Sequence, residues 1–86
     1  MENNRKIKLR RTIAKPKKEQ VKIVTPFITL EKAMKFSSAA ETGGHAKILI
    51  LNGEVKLNGE VCLIRGKKLY PGDVFSYDNT DYEVVT

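Results

Sequence analysis

The chain has 86 residues, 41% of them apolar, and a formal net charge of +6. This length allows one small domain and excludes a multidomain enzyme. The single cysteine, Cys62, excludes a disulfide scaffold and fits a reducing compartment. No apolar run approaches the ~20 residues of a membrane-spanning helix, and the basic start lacks the apolar run of a secretion signal. We therefore expect a cytoplasmic protein without a membrane partner.

The positive charge is concentrated at the N-terminus. Residues 1–22 contain nine Lys or Arg and two Glu, whereas residues 23–86 contain seven basic and eight acidic side chains. Apolar residues are sparse before residue 21 and Pro16 interrupts the segment, so we expect residues 1–20 to be a flexible arm. Dense positive charge attracts phosphate. Either the arm only solubilises the protein or its cations contact RNA, the candidates being Arg5, Lys6, Lys8, Arg10 and Arg11.

The start of the body predicts a strand and then a short helix. Residues 21–25 alternate and are β-branched, which predicts a strand that Pro26 ends. Thr29 is a good N-cap residue. The apolar residues that follow it at helical spacing are Leu30, Ala33 and Met34.

Residues 46–64 allow two interpretations. They contain the pairs Asn52-Gly53 and Asn58-Gly59, and Asn-Gly between apolar runs favours type I′ hairpins, hence a three-stranded meander. Alternatively, residues 44–51 form a buried helix that Gly53 caps in a left-handed conformation, which leaves only Asn58-Gly59 as a hairpin turn. Periodicity does not decide between them.

The C-terminal third predicts a basic loop followed by two strands. Residues 65–68 are Arg-Gly-Lys-Lys, and Pro71-Gly72 suits the centre of a type II turn. Residues 73–77 and 82–85 alternate like strands, and the turn-rich residues 78–81 separate them.

Four segments of the body carry a family resemblance: I-T-L at 28–30, E-T-G-G-H-A-K at 41–47, N-G-E-V-K-L-N-G-E-V at 52–61 and R-G-K-K-L-Y-P-G-D-V at 65–74. In them the chain resembles the ribosomal protein S-four type RNA-binding domain, and it is most similar to the short stand-alone bacterial members, the YaaA-like proteins. The resemblance implies an α+β fold with two short helices packed on a small bent antiparallel sheet. It favours the helix at 44–51, pairs residues 21–25 with the C-terminal strand, and makes residues 21–86 the domain.

The chain departs from the family pattern at two places. General members carry Ser-Arg where this chain has Gly43-Gly44, and the stand-alone members often have a basic residue where Ile64 stands. Both departures remove positive charge from the expected RNA face.

Structured RNA presents phosphates, 2′-hydroxyls and groove shape rather than readable base edges. Lysines, arginines and the free amides at a helix start suit such a ligand. The resulting candidate contacts are Thr42, Gly43, Gly44, His45, Lys47, Lys56, Asn58, Arg65, Lys67 and Lys68. Residues 42–44 could instead only begin a helix, and Asn58 could only form a turn. With one histidine and one cysteine, we expect no metal site and no cofactor.

These observations predict a monomeric, non-catalytic protein that binds structured RNA, either ribosomal or transfer RNA, with the ribosome as a candidate partner. One histidine, no phosphate-binding P-loop and little room for a cavity argue against an enzyme. The first alternative is a protein-interaction or assembly factor on a ribosome or replication complex. The second is double-stranded DNA binding through the arm alone.

Overall fold

A computed structural model describes residues 16–86, and the predicted arm contacts between residues 5 and 11 lie outside this range. The described chain forms two helices and seven strands. In chain order these are β1 (Lys17–Lys22), β2 (Ile28–Thr29), α1 (Leu30–Phe36), α2 (Gly43–Leu51), β3 (Lys56–Leu57), β4 (Glu60–Val61), β5 (Lys68–Leu69), β6 (Val74–Tyr77) and β7 (Thr80–Val85). The predicted α+β class with two short helices is confirmed.

Helix α1 forms where the sequence predicted it. Thr29 has an extended backbone, and its hydroxyl oxygen accepts a hydrogen bond from the Lys32 amide at 3.4 Å, as an N-cap residue does. The buried face consists of Leu30, Ala33 and Met34. Their i, i+3, i+4 spacing therefore positions α1 against the core.

Helix α2 confirms the second interpretation of residues 46–64, and the three-stranded meander is wrong. The helix ends in a Schellman motif, in which the Gly53 amide donates to Ile50 and the Glu54 amide donates to Leu49. Gly53 has a φ of 77°, a conformation that favours glycine. The first Asn-Gly pair thus ends a helix, whereas the second turns a hairpin.

The main sheet has five strands in the order β1-β7-β6-β3-β4, and β2 pairs with β5 in a separate two-stranded sheet. Two hairpins contain two-residue turns with positive φ at both positions, as type I′ geometry requires. Asn58 and Gly59 join β3 to β4 with φ of 50° and 91°. Asp78 and Asn79 join β6 to β7 with φ of 52° and 60°.

Strand β1 differs from the prediction in bounds and direction. It pairs with the C-terminal strand as expected, Val21 opposite Val84, but it runs parallel to β7, so the sheet is mixed and not wholly antiparallel. It begins at Lys17, so residues 17–20 belong to the sheet and not to the predicted arm. It ends at Lys22 because β7 ends at Val85, whose carbonyl accepts a last hydrogen bond from Ile23.

The hydrophobic core lies between the helices and one face of the main sheet. Phe75 of β6 is fully buried and stacks on Tyr82 of β7, with 4.8 Å between ring centroids. Met34 of α1, Ile50 of α2 and the strand residue Val84 complete the same cluster. Neither helix of residues 16–86 is long and apolar enough to cross a membrane.

Candidate nucleic-acid interface

The start of α2 presents two free backbone donors. The Thr42 hydroxyl oxygen accepts from the His45 amide at 3.0 Å, and the Ala46 amide makes the first helical bond, to the Thr42 carbonyl. Among the hydrogen bonds of the described residues, the amides of Gly43 and Gly44 have no acceptor. Their N–H groups and the positive end of the helix dipole therefore remain available to an anion.

His45 is held in a defined orientation beside these amides. Its Nδ1 atom accepts a hydrogen bond from the Glu41 amide at 3.2 Å. In the neutral ring the proton then resides on Nε2. The exposed His45 ring can therefore donate a hydrogen bond from Nε2 to a ligand oxygen.

The basic loop at residues 65–68 is fixed to the start of α1. The Glu31 amide donates to the Arg65 carbonyl at 3.1 Å, and the Leu30 amide donates to the Lys67 carbonyl at 2.9 Å. These carbonyls accept hydrogen bonds from first-turn amides of α1. The start of α1 therefore does not offer these amides to a ligand. The side chains of Arg65 and Lys67 remain exposed to solvent.

Glu31 connects the basic loop to the start of α2. Its Oε1 atom lies 3.7 Å from Arg65 Nη1, and a Cβ atom added to Gly43 would lie only 2.9 Å from its Oε2 atom. The Arg65 guanidinium and the Gly43 backbone are thus neighbours of one carboxylate. Glycine at position 43 leaves room for the Glu31 carboxylate. The negative charge of this carboxylate repels an incoming anion. Glu31 could not be identified from the sequence, because only the tertiary fold brings α1, α2 and the loop together.

Lys47 lies on the exposed face of α2. The helix buries Ala46, Leu49 and Ile50, so residues 44, 47, 48 and 51 face outward. On this face Lys47 stands one turn after the free amide of Gly44. The face also carries apolar surface, since Ile48 is 57% exposed.

Two predicted contact residues, Lys56 and Lys68, have other neighbours than the residues described so far. Lys56 belongs to a row that crosses the outer face of the main sheet, through the pairs Lys56–Ser76, Ser76–Asp81 and Asp81–Lys18. The shallow depression around Lys56 is also lined by the acidic residues Glu54, Asp78 and Asp81. The Nζ atom of Lys68 lies 4.8 Å from the centre of the Phe27 ring, in a cation–π contact.

The side chain of Asn58 makes hydrogen bonds that connect its turn to the rest of the sheet. Its side-chain oxygen accepts from the Val74 amide at 3.0 Å, and its side-chain nitrogen donates to Asp73 at 3.2 Å. Asp73 also accepts from the Tyr70 amide at 2.8 Å, across the turn that contains Gly72. The side chains of Asn58 and Asp73 therefore join the β3–β4 hairpin to the start of β6.

Within residues 16–86 there is no group of three His, Cys, Asp or Glu side chains that could hold a metal ion. Cys62 is partly buried and packs against the hydrophobic core. The surface around residues 42–47 and 65–67 offers hydrogen-bond donors and exposed positive charge. We call this surface the helix–loop surface.

The helix–loop surface belongs to a small α+β domain, and comparison with known protein families identifies the type of domain. The family model described as S4 domain matches residues 21–85, and the chain belongs to the S4 domain family. Over 54 residues the chain is 41% identical to the "Probable ribosome maturation protein RlbA" of Bacillus subtilis (strain 168), a match that covers 63% of this chain and 76% of that protein. The resemblance to the S-four type domain is confirmed.

Proposed function

We propose that this protein is a non-catalytic RNA-binding protein that recognises structured RNA, ribosomal RNA first and transfer RNA second, by phosphate and shape contacts. The observation that carries the proposal is the proximity of two unpaired amides, Gly43 and Gly44, to the basic loop through Glu31. Backbone amides and cations together suit the phosphates of a folded RNA.

Each group of the helix–loop surface has a distinct part in the proposed contact. The amides of Gly43 and Gly44 donate hydrogen bonds to phosphate oxygens. Arg65 binds a phosphate once its ion pair with Glu31 is broken. His45 Nε2 donates to a phosphate or a 2′-hydroxyl oxygen. Lys47 and Lys67 contribute point charges that need no fixed geometry.

The name of the Bacillus subtilis relative supports a ribosomal context. We propose that this chain acts on maturing ribosomes and that RNA is its direct ligand there. The same relative favours one second candidate function, an assembly factor that contacts ribosomal proteins and not RNA. Pull-downs with and without nuclease separate the two candidates. Association through RNA is lost when the RNA is digested, whereas direct association with ribosomal proteins survives.

Two matched pairs of substitutions test the site. The variant Arg65→Gln/Lys67→Gln removes two positive charges from the helix–loop surface, and Lys18→Gln/Lys56→Gln removes two from the outer face of the sheet. We expect the first pair to weaken binding to transcribed Bacillus subtilis ribosomal RNA domains about tenfold, and the second by less than about twofold. The readout is fluorescence anisotropy with labelled RNA.

The salt dependence of the same binding gives a second readout. Each lost phosphate contact lowers the magnitude of the log–log salt slope by roughly 0.7–0.9. The loop pair should therefore flatten the slope by about 1.5, whereas the sheet pair should leave it unchanged. Equal effects of the two pairs on affinity and slope would contradict the proposed site, and a wild-type slope near zero would contradict RNA binding.

A further inference from the structure

An apolar groove lies between the end of β1, the loop that follows it and α1, and we call it the Phe27–Phe36 groove. It has a volume of 530 Å³. The apolar residues that line it are Ile23, Val24, Pro26, Phe27, Ile28 and Phe36. The helix–loop surface uses none of them, so any function of this groove is separate from the proposed RNA contact.

Two large apolar side chains of the groove project into solvent. Val24 is 98% exposed and Phe36 is 68% exposed. Single exposed apolar residues are ordinary on protein surfaces, but these two line one concave surface together. A concave apolar surface that the described part of the chain leaves uncovered is suited to bind apolar groups of a partner.

The charged side chains around the groove are all positive. Lys22 and Lys32 are the charged residues of its described lining, which contains no carboxylate, and Lys68 lies over Phe27. A second copy of this chain would bring the same lysines against each other. Charge complementarity instead favours a partner that carries acidic side chains next to apolar ones.

The environment of Phe27 disfavours a nucleic-acid base as the occupant. A base needs an open aromatic face on which to stack. Lys68 Nζ lies over the ring of Phe27, and the ring of Tyr70 stands beside it, 5.9 Å away and tilted by 49°. The face of the Phe27 ring under Lys68 is therefore closed to a stacked base, which favours aliphatic side chains as its contacts.

We propose that the Phe27–Phe36 groove binds a protein segment that presents apolar side chains flanked by Asp or Glu. Val24, Phe27 and Phe36 contact the apolar side chains, and Lys22 and Lys32 at the rim attract the carboxylates. Such a segment matches a common mode of peptide recognition, in which the apolar face of an amphipathic helix enters a groove.

The test is a selection of random 16-residue peptides displayed on phage, with the full chain as bait. The variant Val24→Ser/Phe36→Ser serves for counter-selection, and both residues are exposed, so we expect the variant to fold. Selected peptides should combine apolar residues at helical spacing with a net negative charge. Their affinity should fall at least tenfold in Val24→Ser/Phe36→Ser and severalfold in Lys22→Glu/Lys32→Glu, whose apolar surface is intact.

Several outcomes would overturn this proposal. The selection could yield no peptide that depends on Val24 and Phe36, or only basic or uncharged peptides. RNA could displace the bound peptides. Sedimentation could show a dimer that Val24→Ser/Phe36→Ser abolishes. Thermal unfolding of both variants checks the fold. Val24→Ser/Phe36→Ser, which keeps the net charge, should bind ribosomal RNA like the wild type, so failure of the groove proposal and failure of RNA binding are distinguishable.

Discussion

At the scale of single residues, the two glycines that begin α2 differ in what surrounds them. A Cβ atom at Gly43 would press on the Glu31 carboxylate at 2.9 Å, whereas one at Gly44 would meet only the Thr42 hydroxyl oxygen at 3.8 Å. A side chain at position 44 can therefore be introduced without moving a neighbour. Position 44 is the better place to test whether an anion approaches the helix start.

We predict that Gly44→Asp weakens RNA binding without destabilising the fold. A carboxylate in the first turn favours the helix, because it faces the positive end of the dipole, but it repels phosphate. Gly44→Ala, which adds the Cβ atom without the charge, is the matched control. RNA affinity should fall at least about fivefold in Gly44→Asp relative to Gly44→Ala, with no decrease in Tm. Equal affinities of the two variants would place the RNA elsewhere.

Glu31 leads to the opposite prediction, a gain of affinity. Its carboxylate pairs with Arg65 and lies against the start of α2, so it competes with phosphate for both. Glu31→Gln keeps the shape and removes the charge, and it should increase RNA affinity about twofold to fivefold at low salt. Glu83→Gln, on the outer face of the sheet, changes the net charge equally and should have a smaller effect. If both variants bind RNA equally, only net charge matters.

At the scale of elements, the second hairpin is joined to the rest of the sheet by side chains. Asn58 adopts a φ of 50° and bonds to both Asp73 and Val74. The sequence predicted the turn at Asn58-Gly59 from the residue pair alone. It did not predict the bonds to residues 73 and 74, because they depend on how β3 pairs with β6. The two Asn-Gly pairs also show that local turn chemistry does not distinguish a helix end from a hairpin.

Substitution of Asn58 should separate the backbone cost from the hydrogen-bond cost. Asn58→Gly retains easy access to positive φ but loses the side-chain bonds, and we expect it to lower the free energy of unfolding by about 1–2 kcal/mol. Asn58→Ala loses the bonds and also strains the backbone, which should cost about 1 kcal/mol more. Urea denaturation measures both differences. Equal stabilities of the Gly and Ala variants would contradict the assigned turn geometry.

At the scale of the whole molecule, the core joins the two ends of the described chain. Strand β1 pairs in parallel with β7, and Tyr82 of β7 stacks on Phe75 within the core. The alternation of Val21 and Ile23 predicted a strand near residue 21. The polar residues 17–20 gave no such pattern, because they are exposed and are held by backbone pairing with β7. Strand direction also depends on the global topology and was mispredicted.

The core makes stability sensitive to alkaline pH through Tyr82. Burial raises the pKa of the Tyr82 hydroxyl above 10.0, and the charges of Glu19 and Asp78 raise this pKa further, while a hydrogen bond with Thr80 lowers it in part. The unfolded chain releases this proton at a lower pH than the folded chain does. The contribution of Tyr82 to the free energy of unfolding is therefore complete below pH 10.0 and is lost as the pH rises above it.

Tyr82→Phe isolates this effect, since phenylalanine cannot ionise. Above pH 10.0 the free energy of unfolding of the wild type should decrease more steeply than that of Tyr82→Phe. Urea denaturation of both proteins across this pH range gives the comparison. Parallel pH profiles would show that Tyr82 titrates alike in the folded and unfolded chains.

The proposed function depends on where a folded RNA contacts the protein, and amide NMR measures this directly. The full chain, labelled with ¹⁵N, is titrated with the shortest transcribed ribosomal RNA fragment that retains binding. We predict that the largest chemical-shift changes occur at the amides of Gly43, Gly44 and Lys67, with little change at Lys18 and Lys56. Changes centred on Lys18 and Lys56, with Gly43 and Gly44 unaffected, would contradict RNA binding at the helix–loop surface.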